Sequence, residues 1–141
     1  MPGACLQPVE HRSRARTGGG FKIEERYESD LTIVDPVTAE VKKSIHLPYP
    51  NYAGAVTTAG GLVFTGFVDG TFAAYDDATL DELWRVNVGS PFSSPPMTFE
   101  VGGKQYVAII SGGSGQATHK LIHSPEAKEQ RNNVVLYVFG L

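Results

Sequence analysis

Cysteine is almost absent from this chain of 141 residues: Cys5 stands alone, so no disulfide can form within one copy. Charge of one sign is also missing. The 12 Lys and Arg against 15 Asp and Glu leave a net charge of -3, which provides no broad positive field for nucleic acid or an anionic membrane. No apolar run approaches the ~20 residues that a spanning helix needs. The opening "MPGACLQPVEHRSRARTGGG" carries Arg12, Arg14 and Arg16 but no apolar stretch of about 7 to 15 residues, so it does not read as a signal peptide.

The chain does have β-rich runs punctuated by glycine. A 15.2 kDa chain that is 41% hydrophobic has enough apolar material for one domain's core. Residues 1–28 show no period and read as an irregular N-terminal segment. From there the pattern is all-β. "LTIVDPVTAEVKKSIHL" (Leu31 to Leu47) places a turn of Asp35, Pro36 and Thr38 between two strand-like runs. "AVTTAGGLVFTG" (Ala55 to Gly66) turns on Gly60 and Gly61, because paired glycines accept the positive φ of a tight hairpin. "TFAAYDDATLDELWRVNV" then repeats the first pattern, and "PMTFEVGGKQYVAII" the second, with Gly102 and Gly103 at the turn.

The repeat has a measurable period. Asp76 follows Asp35 by 41 positions, as Thr79 follows Thr38, and Gly102 follows Gly60 by 42. Four strands in about 40 to 45 residues is the period of a β-propeller blade. Both Asp-x-x-Thr elements suit turns, because the two side chains cap backbone N–H groups. Gly66 and Gly112, at the ends of second strands, are expected to let the chain bend toward the next element. Trp84 falls where a large side chain packs between blades, and its counterpart in the earlier repeat is Lys43.

After Gly112 the strand pattern lapses, giving a long loop over 112–133 before "VVLYVFGL" resumes it. Within the loop, Ser124-Pro125-Glu126 reads as a helix start, extending to about Arg131. With the last strand, about eight strands make a partial β-propeller of about two four-stranded antiparallel blades. A propeller closes with at least about four blades. The missing blades, or self-association, must therefore cover the remaining faces.

Chemical motifs are few. His119 and His123 stand four apart without an obvious third ligand. "GGSGQATHK" lacks the Gly-Lys-Ser/Thr ending of a phosphate loop, and no nucleophile elbow occurs. Asp69, Asp76, Asp77 and Asp81 read as turn-capping residues.

"NYAGAVTTAGGLVFTGFVDGTFAAYDDATLDELW" followed by "PPMTFEVGGKQYVAIISGGSG" resembles the C-terminal blades of the pyrroloquinoline quinone (PQQ)-dependent alcohol dehydrogenases, eight-bladed propellers. The resemblance runs from about Leu31 to Gly115, and "VVLYVFGL" is similar to a family C-terminus. It departs at Ala39 and Leu80, where family repeats usually carry glycine. The resemblance implies oxidation of a primary alcohol or similar substrate, a cytochrome c acceptor and a periplasmic location. It also implies PQQ near the propeller axis, a Ca²⁺ or lanthanide ion polarising the reactive carbonyl, and a carboxylate that accepts the alcohol proton. Two cofactor-facing loops fall inside this chain. Asn51 and Tyr52 occupy the positions of a family pair that often ends in Trp, and Gly115 and Gln116 stand where some members have Gly-Trp. The family's metal ligands, catalytic aspartate, adjacent-cysteine disulfide and stacking tryptophan belong to upstream blades, so the chain is expected not to be catalytic alone. The alternative reading is a non-catalytic propeller-repeat scaffold or binding protein.

Overall fold

The computed structural model describes residues 29–47, 51–112 and 134–141. The irregular segment 1–28, the long loop beyond Gly112 with its expected helix, and Gly115, Gln116, His119 and His123 lie outside the described residues.

Among the described residues, nine strands form three antiparallel sheets. The first sheet is the hairpin of β1 (Ser29–Val34) and β2 (Val41–Leu47). The second holds β3 (Ala55–Thr57), β4 (Leu62–Gly66), β5 (Thr71–Asp76) and β6 (Glu82–Asn87) in sequence order. The third holds β7 (Met97–Val101), β8 (Lys104–Ser111) and β9 (Val135–Gly140). Among the described residues, one four-stranded sheet is thus flanked by sheets of two and three strands. Each doubled-glycine hairpin joins the strands that follow it: β4 pairs with β5, and β8 with β9 across the long loop.

The second sheet is buried on both faces because its two central strands are apolar at nearly every position, unlike the half-exposed strands on either side. Strand alternation sends Phe64, Phe72 and Ala74 one way, onto Val107, Ile109, Tyr137 and Phe139 of the third sheet. It sends Val63, Ala73 and Tyr75 the other way, against Leu31, Ile33, Ile45 and Leu47 of the first sheet. The result is a stack of sheets with two separate apolar seams. Trp84 sits at the edge of one seam, its ring perpendicular to Phe72 at 6.1 Å and tilted 71° to Phe139 at 5.4 Å. At the equivalent place on the other seam stands Lys43, which is exposed.

The two Asp-x-x-Thr turns are near copies. Asp35 Oδ1 accepts the N–H groups of Val37 and Thr38 at 2.9 and 3.1 Å, and Asp76 Oδ1 accepts those of Ala78 and Thr79 at 2.9 and 2.8 Å. The residue after each threonine must then adopt a left-handed backbone to rejoin the ladder. Ala39 and Leu80 both do so, at φ 58°. Asp35 also meets Lys42 Nζ at 2.9 Å, and that contact, ahead of the backbone donors, holds its pKa down at about 2.

Gly112 has a positive φ of 120°, as a bend requires, but Gly66 does not. Its absent side chain serves close packing instead: a Cβ there would stand 2.6 Å from Phe92 Cβ and 2.9 Å from Ile109 Cδ1. The fully buried Phe92 takes that space.

Candidate functional site

The segment carrying Asn51 and Tyr52 and the exit of β8 lie at one end of the stack. β3 begins and β4 ends there, beside the start of β7 and the end of β8. The approach to β3 contains Asn51 and Tyr52, and the approach to β7 runs along residues 89–96. They touch where the Cβ position of Gly54 lies 3.6 Å from Pro95 Cβ. The second segment is tied to the exit of β8. Gly112 N–H donates to Pro91 O at 2.8 Å, and Ser94 Oγ donates to Ile110 O at 2.9 Å.

Asn51 is engaged by its own loop. Its Oδ1 accepts the Ala53 N–H at 3.0 Å, and its Nδ2 donates to Thr65 Oγ1 at 2.6 Å. Thr65 in turn donates to Gly54 O at 2.7 Å, and its residue is wholly buried. This chain of bonds fixes the loop's backbone and uses half of the polar capacity of Asn51, so its side chain helps to position the loop. Tyr52 is different. It remains 45% exposed, on the approach to β3.

Thr65 is a loop-positioning residue that the sequence does not single out. In "LVFTGF" it reads as an ordinary strand threonine, and its only signal is a polar residue at a position between two buried aromatics. Ser111 is not singled out either: wholly buried at the end of β8, its hydroxyl has no hydrogen-bond partner among the described residues. Such an orphaned hydroxyl at the mouth of a loop is the kind of group that a bound polar molecule satisfies.

Two crevices lie along the seams. One of about 500 Å³ is apolar, lined by Leu62, Leu83, Trp84, Val138, Phe139 and Leu141. The other, of about 340 Å³, lies between the first two sheets and carries His46, Asp69, Tyr75, Glu82 and Arg85. Glu82 and Arg85 neutralise each other there, with Arg85 Nε donating to Glu82 Oε1 at 2.6 Å. Among the described residues, no group of three or more His, Cys, Asp and Glu is arranged to hold a metal ion.

PQQ, a flat aromatic quinone bearing carboxylates, fits this end only as one wall. Tyr52 offers a ring edge and a donor, and Ser111 an unsatisfied hydroxyl. Residues 51–54, 65, 89–96 and 111–112 include no Lys or Arg to balance the carboxylates. The counter-charges must come from elsewhere.

Comparison with known proteins agrees with this architecture. Residues 26–107 match the family model for PQQ, described as glucose/ethanol/alcohol dehydrogenase, beta-propeller domain. The chain is 39% identical over 107 residues to the quinoprotein ethanol dehydrogenase of Pseudomonas putida, covering 74% of this chain and 17% of that one. It is 40% identical over 103 residues to the 1-butanol dehydrogenase (quinone) of Thauera butanivorans, covering 72% and 16%. Among solved structures, a europium-containing methanol dehydrogenase superposes with a TM-score of 0.67 at 31% identity, covering 79% of this chain and 23% of that one. The quinohemoprotein alcohol dehydrogenase of Comamonas testosteroni gives 0.68 at 31%, covering 80% and 16%. The chain therefore spans about a sixth of the length of its curated relatives. Stacked sheets, matched repeats and these identities together make it a member of the PQQ-dependent alcohol dehydrogenase family of β-propellers.

Proposed function

We propose that this chain supplies two neighbouring blades and one wall of the cofactor chamber of a PQQ-dependent alcohol dehydrogenase, and does not catalyse alone. The observation that carries this reading is the junction of the Asn51–Gly54 loop with residues 89–96 and the exit of β8, fixed through Thr65. Tyr52 faces the cofactor edge. Asn51 holds the loop that carries Tyr52, and the family resemblance assigns Gly115 and Gln116 to cofactor binding as well.

When bound, PQQ supplies a quinone that accepts the electrons of a primary alcohol or similar substrate, with Ca²⁺ or a lanthanide as Lewis acid. This chain's part is orientation and exclusion of water. The carboxylate base, the metal ligands and the counter-charges lie on other blades. A cytochrome c acceptor and a periplasmic setting complete the proposal by analogy with relatives. They rest on family membership alone.

Two assays on the 141-residue chain test this. Dye-linked oxidation of ethanol or 1-butanol with added PQQ and Ca²⁺, or PQQ and a lanthanide, is expected to give no turnover; appreciable turnover would overturn the non-catalytic reading. Titration with PQQ, followed by quenching of aromatic fluorescence, is expected to show weak saturable binding that Tyr52→Ala reduces and Thr98→Ala leaves unchanged. Equal quenching of all three proteins would favour the scaffold reading instead.

A further inference from the structure

Thr65 carries the one polar side chain of β4, and it is wholly buried. A hydroxyl in such a place costs free energy unless it is bonded, and valine would fill the same space without that demand. Both bonds of this hydroxyl run to the loop before β3: it donates to Gly54 O at 2.7 Å and accepts from Asn51 Nδ2 at 2.6 Å.

Backbone groups of fixed polarity set the direction of each bond. Gly54 O can only accept, so the Thr65 proton is committed to it and the Thr65 oxygen is left as an acceptor. Ala53 N–H can only donate, so it takes Asn51 Oδ1 at 3.0 Å and turns Nδ2 toward Thr65. A flipped amide would set N–H against N–H at Ala53 and lone pair against lone pair at Thr65. The amide is therefore held at both ends in one orientation, with one N–H and one lone pair left unspent by these bonds. The loop itself has other anchors: Ala53 is 1% exposed within the core, and the Cβ position of Gly54 lies 3.6 Å from Pro95 Cβ. What Thr65 adds is its hold on the nitrogen end of the Asn51 amide.

We propose that Thr65 is a positioning residue for PQQ: by holding Nδ2 it keeps the Asn51 amide oriented in advance, its remaining N–H and lone pair ready for the polar edge of the quinone. This rests on the cofactor wall proposed above and names the buried residue that makes Asn51 a preorganised contact. The gain is entropic. A side chain immobilised before the cofactor arrives is not frozen at its expense, which for one side chain corresponds to about two- to tenfold in affinity.

Titration of the 141-residue chain with PQQ, followed by quenching of aromatic fluorescence, tests it on the parent, Thr65→Val, Thr65→Ser, Asn51→Ala and the Thr65→Val/Asn51→Ala double variant, each shown to be folded by circular dichroism. Thr65→Val should weaken binding about two- to tenfold, and Thr65→Ser, which keeps the hydroxyl, should bind as the parent does. The double variant should bind no more weakly than Asn51→Ala, because Thr65 acts through that amide. In the parent, the side-chain amide resonances of Asn51 should shift when PQQ is added, a readout that needs no variant to fold. Parental affinity in Thr65→Val, additive losses in the double variant, or Asn51 amide resonances that stay still while PQQ binds would each overturn the role of Thr65 and leave the cofactor wall standing. A parent with no saturable binding would overturn the wall, and this proposal with it.

Discussion

Replacing Ala39 and Leu80 by glycine separates backbone cost from side-chain gain, because both residues hold the same φ of 58° after the same Asp-x-x-Thr turn. A left-handed backbone costs a residue with a Cβ about 1–2 kcal/mol. Glycine removes that cost but returns about 0.4–1 kcal/mol through the greater freedom of the unfolded chain. Ala39 is exposed and its methyl contributes little. Ala39→Gly should therefore stabilise the fold by about 0.5–1 kcal/mol. Leu80 is only 3% exposed and packs in the seam with Leu47, Val63 and Tyr75. Losing a buried leucine side chain costs about 3–5 kcal/mol, so Leu80→Gly should be net destabilising by about 2–4 kcal/mol despite the same backbone relief. Thermal unfolding followed by the fluorescence of Trp84, the chain's single tryptophan, reads both. The expected shifts are about 2–5 °C upward and at least about 6 °C downward. Equal shifts, or a fall in stability for Ala39→Gly, would refute the reasoning.

Other perturbations test other joints. Gly66→Ala drives a methyl into Phe92 and should destabilise by about 1–3 kcal/mol, read by chemical denaturation; an unchanged midpoint would contradict the close packing. Thr65→Val keeps the strand's shape but strips Asn51 Nδ2 and Gly54 O of a partner, at a cost of about 1–3 kcal/mol and with faster amide exchange at Ala53. Asp35 titrates at about 2 when folded, below the ordinary carboxylate value near 4, because Lys42 and two backbone N–H groups favour its charged form. Its stabilising contribution is therefore complete above about pH 4 and is lost as pH falls through about 2. Asp76, lowered by the N–H groups of Thr79 and Ala78, acts in the same direction. Asp35→Asn should flatten this part of the stability–pH curve, and an acid limb as steep as that of the parent would show that other groups carry it.

The sequence made the repeat legible because turns have strict chemical demands. Doubled glycines and Asp-x-x-Thr recur at offsets of 41 and 42, and the structure realises each of them as a hairpin. Trp84 was readable as an inter-blade residue for the same reason, since no other element offers a ring of that size. What depends on neighbours distant in the chain was not readable. Gly66 looks like a bend from sequence, yet its purpose is set by Phe92, 26 positions later, and glycine gives no sign of which demand it meets. Strand count is similar. Local pattern identifies hairpins but not how they join, so the division into sheets of two, four and three emerges only from pairing. Asn51 was singled out by resemblance as a cofactor contact. Its bonds to Thr65 and Ala53 add a supporting role that no motif announces.

Contacts between side chains of neighbouring sheets, measured by nuclear Overhauser effects in solution, examine the stack most directly. Phe72 should show proximity to Phe139 while Tyr75, three residues on and turned the opposite way, shows proximity to Leu47. Contacts of Leu31 or Ile45 with Val107 or Ile109, bypassing the second sheet, would contradict the blade-like order on which the placement of every loop depends.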